Sequence, residues 1–164
     1  MTRTLYDTAE SPLGTLLLTS DGEALTGVFM EHHRHGPAVV PSWTRDAAPF
    51  RAVREQLGAY FAGDLQTFDL AIRATGTPFQ EAVWAALADI PYGTTESYGG
   101  LALRLGDPKA VRAVGTANGR NPLSIVVPCH RVVAADGALT GYGGGVENKR
   151  RLLALESRQH ALFA

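Results

Sequence analysis

Ile125-Val126-Val127-Pro128-Cys129-His130-Arg131-Val132-Val133 holds the only cysteine of the 164-residue chain. Ile125 to Val127 and Val132-Val133 are β-branched and read as buried strand or core. Pro128 has no ladder donor, so the Pro-Cys-His insert cannot continue a central strand. A thiol and an imidazole are therefore presented together at a break in a buried segment. A neighbouring imidazole takes the thiol proton or lowers its pKa, and the thiolate is a nucleophile. A lone buried cysteine can equally be a small core residue beside a satisfied histidine. The surrounding sequence decides between the two.

Composition sets the outer limits. The chain is 45% hydrophobic and 19% charged, ordinary for a globular protein with one sizeable core or two small packed domains. No apolar run is long enough to span a bilayer, and no basic-then-apolar leader stands at Met1. One cysteine excludes an intramolecular disulfide and a multi-cysteine zinc site. No membrane association, no metal and no cofactor are expected, and a reducing, cytoplasmic location is the default. The net charge of −1 is unevenly spread. Residues 1–91 hold 6 Lys/Arg against 11 Asp/Glu, and residues 92–164 hold 9 against 5. A basic C-terminal half suits a polyanion, although the excess is modest.

Upstream of the cysteine, residues 3–30 read as an antiparallel meander. Thr15 to Thr19 and Leu25 to Met30 are short strands, with turn chemistry at Ser11-Pro12-Leu13-Gly14 and Ser20-Asp21-Gly22-Glu23. Three histidines in the loop Glu31 to Pro37 (His32, His33 and His35) lack ligand partners at metal spacing, so a solvated loop is expected. Phe50, Val53, Leu57, Tyr60 and Phe61 predict an amphipathic helix ending near Gly63. Phe68, Leu70 and Ile72 alternate like a half-buried strand.

The second half opens at Thr77-Pro78-Phe79-Gln80, a capping-box helix start whose apolar face is Phe79, Val83, Ala86, Leu87 and Ile90. Trp84 beside that face is expected in the core. A candidate helix-turn-helix follows. Ser97 caps a first helix with Leu101, Ala102 and Leu105. Gly106-Asp107 turns the chain, and Asp107-Pro108 begins a second helix running to about Asn118-Gly119. The second helix is built of small residues (Ala110, Ala113, Gly115, Thr116, Ala117), a surface that allows close approach. Arg112 among them is a poor choice for a helix buried all round.

Pro128-Cys129-His130-Arg131-Val132 resembles the acceptor-site motif of the 6-O-alkylguanine-DNA alkyltransferases, direct-reversal DNA repair proteins also known as methylated-DNA–protein-cysteine methyltransferases. Tyr98, Ala110 to Gly115, Asn121-Pro122, Gly141 to Gly145, Lys149 and Leu155-Glu156 follow the family's order and spacing. The detailed match runs from about Thr77 to Glu156. The resemblance implies an α/β (α+β) fold: an N-terminal ribonuclease-H-like antiparallel sheet with helices over residues 1–75, serving as support. Residues 76–164 would form a winged-helix-like C-terminal domain carrying the helix-turn-helix, the DNA contacts and the alkyl acceptor.

It also implies residue roles. Cys129 is the acceptor, His130 a base acting through water, Glu156 the carboxylate orienting it, and Asn121 a hinge residue near the site. The second helix would enter the minor groove, with Arg112 filling the gap left by an extruded base and Ala113, Gly115 and Thr116 close to the DNA. Tyr98 would help rotate the nucleotide. Tyr98, Val132, Tyr142, Gly143 and Gly144 would line the substrate pocket. Lys149 resembles a lysine near the glycine loop, where phosphate contact and plain surface charge are equally expected. Two departures stand out. Gly99-Gly100 follows Tyr98 where a better helix former is usual at the second position. Gly143 stands where some members carry serine.

The reaction implied is irreversible transfer of the alkyl group of 6-O-alkylguanine, and of 4-O-alkylthymine, to Cys129, once per molecule. The partner implied is double-stranded DNA bearing an alkylated guanine, met by a monomer. A base must leave the stack before a buried thiol can reach it. Pairing with His130 and Glu156 is expected to bring the thiol below an ordinary cysteine. A Cys-His-Glu hydrolase would share those three residues but not the helix-turn-helix. A binding-only lesion sensor of the alkyltransferase-like kind would lack the cysteine.

Overall fold

The computed structural model describes residues 3–163, with side chains described as far as residue 158. Strands β1 (Leu5–Ser11), β2 (Gly14–Ser20) and β3 (Leu25–Phe29) form the expected antiparallel meander. The first turn is tied by Ser11, whose hydroxyl accepts from Leu13 N–H and donates to the Gly14 carbonyl. In the second, the Asp21 carboxylate accepts from the Glu23 and Ala24 amides. Leu16 and Leu18 sit two apart on β2 and are fully buried, as strand periodicity requires. A two-residue strand, β4 (Thr44–Arg45), runs parallel to β1 and completes the order β3-β2-β1-β4.

Helix α1 (Arg51–Phe61) turns Val53, Leu57 and Tyr60 inward, and the chain leaves it through Gly63 at φ 83°. The strand expected over Phe68 to Ile72 does not form. Ile72 makes one parallel bridge to Leu25, through Leu25 N–H to Ala71 O and Arg73 N–H to Leu25 O. The free edge of β3 is shared. Further along it, Val28 N–H donates to Pro122 O and accepts Ser124 N–H on its own carbonyl. Two short segments, one from each half, divide an edge too short for either to extend.

Helix α2 (Pro78–Leu87) begins with the predicted capping box, Thr77 and Gln80 each bonding the other's backbone amide. It ends three residues before Ile90, which is still buried from within the following turn. Strand β5 (Glu96–Ser97) leads into helix α3 (Tyr98–Arg104), capped by the Ser97 hydroxyl. Gly106 at φ 83° makes the turn to helix α4 (Val111–Gly119). That helix starts later than Asp107-Pro108, because Asp107 O is taken by Ala110 N–H in a separate turn. Strand β6 (Val132–Val133) pairs in parallel with β5, and helix α5 (Val146–Phe163) closes the chain.

A common apolar core runs through both halves, from Leu16, Val28 and Phe50 to Val83, Leu101, Leu123 and Leu152. Trp84 belongs to it, and its indole N–H donates to Ala117 O at 2.9 Å, tying α2 to α4. Among the described residues no helix is long and apolar enough to cross a membrane.

Candidate active site

Residues Cys129 to Arg131 form one 3-10 turn between the buried Ile125–Pro128 segment and β6. Of the two readings its composition allows, strand or core, the segment is core. Ile125 is buried in the left-handed region at φ 73°, which costs a β-branched residue on the order of 1–3 kcal/mol. Asn121 over-determines the path around it. Its amide donates to Val127 O at 2.9 Å and its carbonyl accepts from Leu123 N–H at 3.0 Å. Asn118, at the end of α4, donates to the Cys129 carbonyl at 3.3 Å. The helix-turn-helix is thereby bonded to the cysteine turn itself.

His130 is completely buried, and its Nε2 lies 2.7 Å from Glu156 on α5. Glu156 also accepts from Tyr60 Oη at 2.6 Å and from Arg131 Nε at 2.8 Å. Arg131 reaches onward to Ile90 O at 2.6 Å and stacks over Tyr92. With Nε2–H given to a carboxylate, the neutral ring keeps its lone pair on Nδ1, which is buried and has no protein partner. The imidazole is thus held in the tautomer whose Nδ1 can accept a proton.

The charges follow from this packing. Burial pushes the Glu156 carboxyl up, but His130 and Arg131 together outweigh it and hold the group down at about 2. Burial lowers the His130 pKa, with Glu156 opposing and Arg131 reinforcing the effect. Cys129 departs from expectation: complete burial raises its thiol above an ordinary cysteine, only partly offset by Asn121 and Lys149. Desolvation of the thiolate outweighs the neighbours that favour it. Lys149 is no surface charge. It is fully buried, donates to Thr140 O at 3.0 Å, faces the Tyr98 ring, and is lowered by burial to about 8. Tyr142 is buried near the thiol and Ser124, with its own pKa raised well above normal.

Above the cysteine turn opens a cleft of about 550 Å³. Tyr98 from α3, Arg112, Gly115 and Thr116 from α4, and Tyr142 and Gly143 from the glycine loop line it. Four other expected residues lie off its walls. Cys129 is not on the lining and is only 4% exposed. Val132 is buried in β6, and Gly144 is pressed against Met30. Ala113 faces a second groove on the other side of α4, with Thr77 and Phe79.

Other contributors escaped the sequence reading. Tyr60 and Arg131 complete the Glu156 cluster. His33 also leaves the expected solvated loop: it lies half-buried, edge-on to Phe29 and 3.4 Å from the Ser124 hydroxyl. Arg131 had one legible signal, a charge inside an apolar run. Tyr60 and His33 had none, lying 96 and 91 residues from their partners. No cluster of metal-ligand type occurs among the described residues.

Residues 78–158 match the family described as 6-O-methylguanine DNA methyltransferase, DNA binding domain, and residues 4–74 match its ribonuclease-like domain. The chain is 51% identical over 151 residues to the methylated-DNA–protein-cysteine methyltransferase of Mycobacterium bovis, covering 92% of this chain and 91% of that one. The protein of the same name from Methanosarcina acetivorans is 49% identical, covering 92% and 97%. Among solved structures, Mycobacterium tuberculosis OGT in complex with DNA superposes with a TM-score of 0.90 at 50% identity, over 94% of each chain. With both halves matched, and a buried His130–Glu156 pair in the turn that carries the cysteine, this chain belongs to the 6-O-methylguanine DNA methyltransferase family.

Proposed function

We propose that the protein repairs DNA by direct reversal, moving the alkyl group of 6-O-alkylguanine, and of 4-O-alkylthymine, onto its own Cys129. The carrying observation is the His130–Glu156 pair fixed against the cysteine turn, with His130 Nδ1 unclaimed by the protein. The thiol proton passes through water to Nδ1, and Glu156, itself fixed by Arg131, stabilises the imidazole as it charges. The thiolate forms a carbon–sulfur bond to the alkyl carbon while the carbon–oxygen bond to guanine breaks. Guanine leaves with the electron pair, and Tyr98, which lines the cleft, is the proton donor proposed for it. Backbone amides of the glycine loop from Gly141 to Gly144 supply donors for the developing charge on oxygen, the Gly145 amide being taken by Tyr142 O. A thioether has no simple route back to the thiol, so each molecule acts once.

Base extrusion precedes this chemistry, because a stacked base cannot reach a buried thiol. Arg112, on the exposed face of α4, is the residue proposed to fill the vacated stack, with Ala113, Gly115 and Thr116 at the DNA surface. Residues 76–164 act as the DNA-binding and acceptor domain and residues 1–75 as its support, in a cytoplasmic monomer. Intact mass after incubation with a duplex containing 6-O-methylguanine tests the reading. A single gain of one methylene equivalent at Cys129, followed by inertness, is expected. Repeated turnover by one molecule would refute it. Arg112→Ala should slow duplex repair much more than reaction with free alkylguanine base, and equal losses would remove its assigned role.

A further inference from the structure

The cleft is lined by Arg34, His35, Arg112 and Arg120 and by no carboxylate. Arg34 and the imidazole of His35 come from the N-terminal half, in the loop after β3, and Arg112 and Arg120 from α4 and its C-cap. Among the described residues, Arg34, Arg112 and Arg120 make no ion pair, whereas Arg54, Arg73, Arg104 and Arg131 all do. Unpaired like charges gathered at one mouth repel one another unless an anion joins them. They do converge: His35 is lowered by burial and then by the charges of Arg120 and Arg34.

The N-terminal loop is not free to swing away from this position. Arg34 N–H donates to Gly143 O at 2.8 Å, and His33 is seated on Phe29 and Ser124. Glu31, the loop's carboxylate, turns to the opposite side, against the β1–β2 turn at Gly14. The loop therefore offers positive charge alone to the cleft, from a fixed backbone.

We propose that Arg34 and Arg120, brought from the two halves to the rim of the cleft, form a clamp for a DNA phosphate beside the extruded nucleotide. The N-terminal half then binds DNA directly as well as supporting the site. This rests on the DNA-repair reading above. The guanidinium groups suit a phosphodiester because each presents paired donors to two oxygens. Each phosphate neutralised releases counterions, which makes the contact readable as a salt slope of about 0.9 per phosphate in log–log form.

The test uses full-length protein with Cys129→Ser, which cannot transfer, binding a duplex with and without 6-O-methylguanine across a salt series. Arg34→Gln and Arg120→Gln should each weaken binding several-fold at low salt and flatten the slope by roughly one unit. The double variant should lose less than the sum, since both hold one phosphate. Arg51→Gln, on the exposed outer face of α1, should leave the slope unchanged. With Cys129 intact, both cleft variants should lose more on duplex than on free alkylguanine base, which has no phosphate to hold. Unchanged slopes in both variants would overturn the clamp while leaving the repair reading intact. Equal loss on the free base would also overturn it, by placing the arginines in the reaction itself. Wild-type protein that binds duplex but transfers nothing would sink the repair reading, and the slopes on unmodified duplex would still judge the clamp.

Discussion

The ring of His33 occupies the space into which a side chain at Gly143 would point. A Cβ built on Gly143 would lie 2.6 Å from His33 Cε1 and 2.7 Å from Nε2, well inside contact. Gly143 is thus matched by a histidine 110 positions earlier in the chain. Gly143→Ser should overpack this contact and destabilise the protein by about 1–3 kcal/mol. His33→Ala opens the space, leaving Gly119 O at 3.2 Å as the tightest remaining neighbour. Thermal unfolding of the two single variants and the double should therefore show strong non-additivity, with His33→Ala recovering most of the loss. Additive losses would mean the two positions are not coupled.

Glu156 governs acid stability. Its folded pKa of about 2 lies below the ordinary carboxyl value of 4.5, so its contribution is fully present above pH 4.5. That contribution, on the order of 3 kcal/mol, is lost as pH falls towards 2. His130 acts in the same direction at higher pH. Its lowered pKa makes the unfolded chain bind the proton first, so stability begins to decline below 6.5. Glu156→Gln should remove the lower part of this dependence. It should also cost about 3–5 kcal/mol at neutral pH, because Arg131 is left buried without its counter-charge. Melting temperatures from pH 2.5 to 8 check both statements.

The resting thiol should titrate above an exposed cysteine. Ultraviolet thiolate absorbance, taken as the difference from Cys129→Ser, reads this cleanly because the chain has one cysteine. Lys149→Gln removes a charge that favours the thiolate and should raise the midpoint further. A midpoint below that of an ordinary thiol, in either protein, would contradict burial as the dominant influence.

The two glycines opening α3 should respond differently to alanine. A Cβ at Gly99 meets nothing within 4 Å, so Gly99→Ala should stabilise by roughly 0.5–1 kcal/mol through helix propensity. A Cβ at Gly100 would sit 3.1 Å from the capping hydroxyl of Ser97. Gly100→Ala should therefore gain less or lose, and equal gains at both sites would show that the cap yields freely. Denaturant unfolding distinguishes the outcomes.

The sequence by itself determined the local pieces: the meander from its turns, α1 and α2 from periodicity and the Thr77 capping box, and α3 from the Ser97 cap. It also exposed the cysteine turn, since Pro128 inside an apolar run forbids a regular strand. These signals are short-range, written within a few residues of where they act. Only the tertiary structure decided that Phe68 to Ile72 stops at a single bridge, because the β3 edge it would use is shared with Leu123. Only packing brought Tyr60, Arg131 and His130 onto one carboxylate, and seated His33 against Gly143. Packing also set the thiol's resting state. Adjacency to His130 in the chain suggests a lowered pKa, but desolvation depends on everything folded around the sulfur, and no stretch of sequence carries that sum.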